Sequence, residues 1–256
     1  MLDNAAVKNR VYGLVEFDVT KARQFIREHK NKTGETLSFT GWIIKCVGKA
    51  VVEDKDINVY KKGRNRFVVF DDVDVSIVVE REINGEKLPL PYVVRRANEK
   101  SFMQIHEEIR AAQKQIVAKP DILGTEKEST FVRAFQVLPS FLRKIGWWRF
   151  RRNPFLKKNV MGTVGITSVG MFGNMAGGWP IAIGYHSLEI ALGGITRKQI
   201  LLEGKPETHE YLNATLMFDH DVIDGGPATR FTAHLAQLIE EGYGLTDQSD
   251  TANPIP

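Results

Sequence analysis

The sequence lacks several features that would assign a protein class at once. It contains one cysteine, Cys46, so no disulfide can form within a single chain and a reducing compartment is expected. No apolar run approaches the roughly 20 residues that span a bilayer, and the N-terminus has no apolar signal core. We therefore expect a cytoplasmic protein without a transmembrane segment.

Charge and metal-ligand patterns are equally sparse. The net charge is only +4, and no basic helix with base-reading spacing stands out, so we expect no nucleic-acid partner. There is no cysteine cluster, and the histidines form no recognisable metal-binding motif, so we expect no metal. Cys46 itself falls inside a predicted apolar helix, which favours a core residue over a nucleophile.

What is present is enough for one large domain. With 256 residues, 43% of them hydrophobic, the chain can bury a sizeable core. We predict a domain over residues 1–246 and a polar tail over 247–256. Apolar spacing predicts helices over 21–30, 38–51, 101–118, 130–150 and 227–241, and strands over 11–17, 67–70, 73–79, 89–94, 181–184, 190–196 and 211–218. Helices and strands mix without a regular βαβ order, which predicts a layered α+β sandwich.

The most informative stretch runs from Phe218 to Gly226, FDHDVIDGG. It places His220 where a predicted strand ends and Asp224 where the next helix begins. Asp224 can cap that helix, and the glycine pair Gly225–Gly226 permits backbone conformations that other residues avoid. Taken alone, the pattern fits either a catalytic histidine or an ordinary strand end followed by a helix cap.

Neighbouring residues favour the catalytic interpretation. The segment 219–231, DHDVIDGGPATRF, resembles the active-site signature of the dihydrolipoamide acyltransferase cores of 2-oxo acid dehydrogenase complexes. The segment 162–173, GTVGITSVGMFG, resembles a strand and turn of that family, and 37–51, LSFTGWIIKCVGKAV, resembles its early amphipathic helix. The resemblance implies a chloramphenicol acetyltransferase-like fold, a two-layer sandwich with a mixed β-sheet covered by helices, and assembly as a homotrimer.

The resemblance also implies a reaction. An acyl group would move between coenzyme A and a thiol such as dihydrolipoamide. A free thiol with a pKa near ~8.5 is mostly protonated at neutral pH, and an imidazole with a pKa near ~6.5 suits the role of general base, so His220 is the candidate. Thr167 aligns with a family serine that is supplied across a subunit interface, and it would donate a hydrogen bond to the oxyanion. The bland alternative for Thr167 is a packed strand residue.

Two carboxylates flank this histidine. The resemblance implies that Asp224 is a structural carboxylate paired with an arginine, and Arg10, Arg23 and Arg230 remain alternatives for that partner. Asp221 stands where the family commonly has arginine. A carboxylate there would favour an imidazolium at His220, unless it faces solvent.

The basic aromatic segment 143–158, RKIGWWRFRRNPFLKK, has no counterpart in this chemistry. It carries seven basic residues, no acidic ones, two tryptophans and two phenylalanines. We expect an amphipathic surface element partly buried at a subunit contact. Contact with a membrane surface, with an acidic partner or with the phosphates of coenzyme A are the alternatives.

Partners follow from the same resemblance. No lipoyl-lysine hairpin is evident, so a lipoyl group would be supplied by a partner protein. The leucine-rich C-terminal anchor of family cages is not evident in 247–256, so we expect a trimer before a larger cage. Two other functions stay open: an antibiotic-type O-acetyltransferase, and a non-catalytic scaffold oligomer of a dehydrogenase complex.

Overall fold

The structure, a computed structural model, describes residues 9–63, 65–83, 86–114, 146, 148–150, 152–170 and 177–246. Its elements, in chain order, are β1 (Arg10–Asp18), α1 (Thr20–Thr33), α2 (Phe39–Glu53), a 3₁₀ turn (Lys55–Ile57), β2 (Val59–Lys62), β3 (Arg66–Val69), β4 (Val75–Ile83), β5 (Glu86–Val94), α3 (Phe102–Lys114), α4 (Pro154–Met161), β6 (Val164–Ser168), β7 (Leu188–Leu202), β8 (Lys205–Asp219) and α5 (Gly225–Glu241).

Six strands form one mixed sheet in the order β1-β8-β7-β6-β4-β5. Strand β6 runs parallel to both of its neighbours, β4 and β7, and the remaining pairs are antiparallel. Strands β2 and β3 form a separate antiparallel hairpin. The prediction of a mixed sheet combined with helices is therefore confirmed.

Helices α1, α2, α3 and α5 cover one face of this sheet. Alternate residues of each strand point into that layer, because successive side chains of a strand face opposite sides. The buried core contains, among others, Ile166 of β6, Ile190 of β7 and Leu216 of β8, together with Trp42 of α2 and Phe231 of α5. The predicted inward face of α2 is confirmed: Trp42, Ile43, Val47 and Val51 are all fully buried.

Local signals start α2 where expected. The Ser38 hydroxyl accepts a hydrogen bond from the Gly41 amide at 3.1 Å, which satisfies one of the free donors in the first helical turn. The Trp42 indole donates to the Tyr243 carbonyl at 2.9 Å and so joins α2 to the segment after α5.

The opposite face of the sheet carries the remaining side chains of each strand, those that alternate with the core residues. We call it the open face. It presents the apolar side chains of Tyr12, Leu14 and Val78 to the surface, with Leu14 57% exposed. Thr167, next to the core residue Ile166 on β6, lies on this face and is partly buried. The open face is therefore partly apolar and partly polar.

The predicted outer ends of two strands were wrong, and a third predicted strand is not formed. The β7–β8 hairpin extends to Leu202 and Lys205, well past the predicted ends at Thr196 and Tyr211. Its outer half is exposed on both faces, so it lacks the apolar alternation on which the prediction relied. Residues 181–184, predicted as a strand, join no sheet; the side chain of Arg10 donates to the Gly184 carbonyl instead.

Several predictions fall outside the described residues. These are most of the helical region 130–150, part of the segment 143–158, residues 171–176 of the glycine-rich turn, and the tail 247–256. Within the ranges that the structure does describe, no helix combines the length and apolar composition needed to cross a bilayer.

Candidate active site

The backbone around His220 is held by two neighbouring segments. The His220 amide donates to the Asn9 carbonyl at 2.7 Å, and the Asp219 amide donates to the Ser187 carbonyl at 2.9 Å. The amides of Val222 and Ile223 both donate to the Asp219 carbonyl, at 3.0 and 2.9 Å. This tight turn leads directly into α5. The position of His220 is thus fixed through its backbone.

The side chain of His220 is uncommitted, which sets it apart from the other histidines. All six histidines lie in the described part of the chain, and His220 is the exposed one; its imidazole forms no hydrogen bond there. Four others pair with carboxylates, and the Nε2 atom of His29 is buried without a partner. An imidazole with both nitrogens accessible can take a proton from an incoming ligand.

Asp224 occupies the N-cap position of α5, as predicted, but its carboxylate does not act as a cap. The side chain accepts no hydrogen bond from the helix and is exposed. Within the described residues it forms no ion pair with Arg10, Arg23 or Arg230. Arg10 instead donates to the carbonyl of Gly184 and, at 3.4 Å, to that of His186. Arg10 pairs with Asp219 across β1 and β8, which places its side chain near residues 184–186.

Arg23, the second candidate for that pair, lies 3.9 Å from Glu210, and Arg230, the third, forms no ion pair among the described residues. The expected pair of Asp224 with one of these arginines is therefore not formed inside one chain. Asp221 faces solvent, the simpler of the two alternatives for this residue, and its Oδ1 atom accepts a hydrogen bond from the Asn9 amide side chain at 3.1 Å.

Thr167 lies far from His220 in the same chain. Thr167, Ala191 and Thr215 form one row across β6, β7 and β8, and His220 follows five residues after Thr215. With strands about 4.8 Å apart and a rise of about 3.3 Å per residue, His220 and Thr167 are roughly 19 Å apart. One chain does not bring these two residues together.

Two polar side chains that the sequence did not single out share the open face with Thr167, two strands away on β8. Asn213 and Thr215 are buried, and among the described residues neither Oδ1 of Asn213 nor Oγ1 of Thr215 has a hydrogen-bond partner. Both lie on the open face, because their neighbours Leu212, Ala214 and Leu216 belong to the core. Buried polar atoms are usually paired, so these two mark a place where a ligand or a second chain can supply a partner. The alternation of polar with apolar residues in 212–216 was the available signal.

A second missed feature is a buried ion pair behind the His220 loop. His186 Nδ1 lies 2.7 Å from Glu189 Oε1, and His186 Nε2 lies 2.8 Å from the Met161 carbonyl oxygen. A carboxylate and a carbonyl can only accept hydrogen bonds, so the His186 ring is held between two acceptors. Burial alone would raise the pKa of Glu189, but the charge and hydrogen bonds of His186 hold it below its ordinary value.

Two adjoining cavities lie beside the His220 loop and share Arg152 in their walls. We call the first, of about 190 Å³, the loop cavity; it is lined by Tyr60, Lys61, Gly63, Arg152, Lys157, Ser187, Asp219 and Asp221. We call the second, of about 390 Å³, the basic cavity; it is lined by Lys62, Trp148, Arg149, Arg152, Asn153 and Phe155. Together they join the basic aromatic segment to the turn that carries His220.

Other reactive groups do not contribute to this site. Cys46 is fully buried in α2, and burial raises the pKa of its thiol, as expected of a core residue. Among the described residues, no group of three histidine, cysteine or carboxylate side chains is arranged to hold a metal ion. The site itself offers an exposed imidazole, carboxylates, hydroxyls and cations.

Comparison with known proteins identifies relatives of this arrangement. The chain is 27% identical over 235 residues to the dihydrolipoyllysine-residue acetyltransferase component of the pyruvate dehydrogenase complex of Mycoplasma pneumoniae, covering 88% of this chain and 48% of that protein. It is 24% identical over 230 residues to the succinyltransferase component of the 2-oxoglutarate dehydrogenase complex of Staphylococcus saprophyticus, covering 90% and 44%. The chain thus spans about half the length of the curated relatives it matches.

Solved structures show the same fold. One is Azotobacter vinelandii dihydrolipoamide acetyltransferase, studied for the role of a serine, a histidine and an asparagine in its catalytic mechanism, with a TM-score of 0.65 at 18% identity over 95% of this chain and 87% of that one. Another is chloramphenicol acetyltransferase, with a TM-score of 0.51 at 15% identity over 94% and 92%. The predicted chloramphenicol acetyltransferase-like fold is confirmed.

The family assignment rests on sequence as well as fold. The family model for 2-oxoacid dehydrogenases acyltransferase (catalytic domain) matches residues 1–121 and 156–246. Those ranges contain the His220 loop, the Thr167 strand and helix α2, the three segments on which the resemblance was based. The chain therefore belongs to the 2-oxoacid dehydrogenase acyltransferase family, matching its catalytic domain.

Proposed function

We propose that the protein is a coenzyme A-dependent acyltransferase that moves an acyl group between coenzyme A and a thiol such as dihydrolipoamide, with His220 as general base. One observation carries the proposal: in the family's signature segment, His220 has a fixed backbone and an exposed, unpaired imidazole. A base must reach the proton it removes, and this arrangement leaves the imidazole accessible while the turn holds it in place.

The proposed reaction uses only groups that the site offers. His220 takes the proton of the attacking thiol, and the sulfur adds to the thioester carbonyl carbon. The resulting oxyanion accepts a hydrogen bond from the Thr167 hydroxyl, which stabilises the tetrahedral adduct. The carbon–sulfur bond of the original thioester then breaks, and the departing sulfur takes the proton back from the His220 imidazolium. Atoms and charges balance without a metal or a redox step.

The separation of His220 and Thr167 supports a site shared between chains. Roughly 19 Å within one chain is too far for both to contact one reacting carbonyl. The exposed apolar side chains of Tyr12 and Leu14 on the open face are suited to burial against a second copy. We propose a homotrimer in which His220 of one subunit faces Thr167 of the next. Assembly of such trimers into a larger cage would require an additional contact between trimers.

The partners of this reaction are an acyl-CoA and a lipoyl group carried by another protein or domain. The relatives include both acetyltransferases and succinyltransferases, so the acyl group itself is a question for experiment. The buried thiol of Cys46 fits the reducing conditions of a cytoplasm.

A panel of acyl-CoAs tested with dihydrolipoamide, and with chloramphenicol as an oxygen acceptor, separates the candidate functions. We expect thioester exchange with dihydrolipoamide and none with chloramphenicol. Acetylation of chloramphenicol alone would identify the O-acetyltransferase instead. A stable oligomer that turns over neither acceptor with any acyl-CoA would identify a scaffold. His234→Gln, which alters a partly buried histidine of α5 that pairs with Glu53, serves as the activity control for His220 variants.

A further inference from the structure

Among the described residues, the wall of the basic cavity carries three cations and no carboxylate. Lys62, Arg149 and Arg152 line it, and within the described residues none of the three forms an ion pair. Asn153, its other polar residue, is already used, because its side-chain oxygen accepts the amides of Phe155 and Leu156 at the start of α4. A concave site with unbalanced positive charge attracts an anion.

Aromatic rings hold two of these cations in place. The guanidinium of Arg152 lies 4.7 Å from the centre of the Trp148 ring, and the Lys62 ammonium lies 5.4 Å from that of Phe155. Both rings are about half exposed, at 57% and 51%. Stacking of this kind restricts the cations and leaves their hydrogen atoms directed at a ligand. The planar fork of an arginine matches the oxygen atoms of a phosphate.

The two ends of the loop cavity carry opposite charges. Its wall contains Asp219 and Asp221 at the His220 end and Lys157 with Arg152 at the other end. A ligand with anionic groups at one end and an uncharged reactive end is therefore oriented, because the carboxylates repel its anions towards the basic cavity. Its uncharged end then points to the turn that carries His220.

Most of the residues that line the basic cavity lie outside the ranges that the family model matches. The family model matches residues 1–121 and 156–246, so Trp148, Arg149, Arg152 and Phe155 lie in the segment that it does not match. The binding function of this cavity cannot be carried over from the family.

We infer that the basic cavity binds the phosphate groups of the acyl-CoA donor through Arg149, Arg152 and Lys62, and that the donor's thioester arm extends along the loop cavity towards His220. This inference rests on the proposed function. It assigns the unexplained basic aromatic segment 143–158 to donor recognition, one of the alternatives that the sequence left open, and it makes the segment a determinant of donor affinity rather than of the chemical step.

Calorimetric titration of the full-length protein tests the site without relying on turnover. The probes are coenzyme A and pantetheine, which carries the thiol arm without the nucleotide phosphates. We expect Arg149→Gln/Arg152→Gln to weaken coenzyme A binding by about tenfold or more, the effect of losing charge-assisted hydrogen bonds, and to leave pantetheine binding unchanged. Lys205→Gln, which removes one exposed charge at the start of β8, should change neither.

Kinetics supply a second readout. The double variant should lower kcat/KM for acyl-CoA by the same factor, through KM, and leave kcat/KM for the matching acyl-pantetheine at the wild-type value. Arg152→Lys keeps the charge but loses the planar fork, so we expect an intermediate effect. Unfolding curves verify that each variant is folded, and Arg149→Gln alone replaces the double variant if that variant is unstable.

Three results would overturn the inference. If the double variant bound coenzyme A with an affinity within twofold of wild type, the phosphates would not bind in this cavity. An equal loss for pantetheine would assign the effect to general disruption. Binding of anionic phospholipid vesicles without binding of coenzyme A would make the surface a membrane contact. A wild-type protein that binds coenzyme A in this phosphate-dependent way but transfers no acyl group would refute the proposed function and leave the site standing.

Discussion

Strand β8 carries a histidine near each end, and the two imidazoles are held in opposite ways. His209 lies near the start of the strand, where its Nδ1 atom is 2.5 Å from Asp18 and its Nε2 atom is 3.7 Å from Glu207. The hydrogen bond to Asp18 raises the pKa of His209 above its ordinary value. His220 follows the last residue of the strand; its backbone is fixed, and its ring forms no hydrogen bond with any residue that the structure describes.

The residues around the two ends of β8 show the same difference. At the His209 end, Glu210 pairs with Arg27 at 2.7 Å and with Arg197 at 3.3 Å, so side-chain charges tie β8 to α1 and β7. At the His220 end, backbone amides do the holding and the charged side chains line a cavity. Both nitrogens of His209 are engaged with carboxylates, whereas the ring of His220 is available for the proposed chemistry.

Replacing His220 tests this contrast most strongly. His220→Ala should lower kcat by roughly 10²- to 10⁴-fold, because the general base is lost, while the melting temperature and oligomeric state stay as in wild type. Steady-state kinetics, thermal melts and sedimentation supply the three measurements. Near-normal turnover in a properly assembled variant would remove the base assignment.

Removing the carboxylate behind the loop comes next. Glu189→Leu leaves the buried His186 without its carboxylate partner and should reduce the free energy of unfolding by about 3 kcal/mol. Urea unfolding measures the change, and the double variant His186→Leu/Glu189→Leu should recover part of it because neither member of the pair is left buried without the other. A double variant that loses as much as the two single variants together would contradict the ion pair.

Thr167 tests whether the free imidazole works with a neighbouring chain. Thr167→Val should lower kcat by about 10²-fold through loss of the oxyanion donor, and Thr167→Ser should keep most of the activity. Reassembling inactive His220→Ala and Thr167→Val chains together should restore some turnover, because some interfaces pair an intact His220 with an intact Thr167. An active monomer would contradict the shared site and return Thr167 to a packing role.

Asp224 should have a smaller effect on stability. Its carboxylate makes no capping bond or ion pair within the described residues of one chain, so Asp224→Asn should lower the free energy of unfolding by about 0.3–1 kcal/mol, the loss of a negative charge at a helix N-terminus. Chemical denaturation measures this value. A severe loss of kcat with unchanged stability would instead give Asp224 a part in proton transfer or in the contact with a neighbouring subunit.

The smallest effect is expected at His209. Its raised pKa means that the protonated form is favoured in the folded state, so the stabilisation is complete below about pH 6.5 and is lost as pH rises through the raised pKa. Comparing urea midpoints across this range, we expect His209→Gln to show less of this decline than wild type. Parallel curves for the two proteins would mean that the pair with Asp18 does not contribute.

Much of the fold was readable from local patterns. Period-two and helical spacing located four helices and four strands to within about four residues at each end, and Ser38 marked the start of α2. The sequence alone also singled out His220, because a strand, a turn and a helix cap are all set by neighbours in the chain. Where strand ends are exposed, as in the outer half of the β7–β8 hairpin, the same method failed for lack of an apolar alternation.

By itself, the sequence determined which residues end β8, turn and start α5, and therefore that an imidazole is presented there. Only the tertiary structure decided what surrounds it. Strand order and register set the distance from His220 to Thr167 and the pairing of His186 with Glu189. They also decide that Asp224 forms no ion pair with the three candidate arginines and that Asn213 and Thr215 carry unpaired atoms among the described residues. These contacts join segments far apart in the chain, and no local pattern encodes which of them meet.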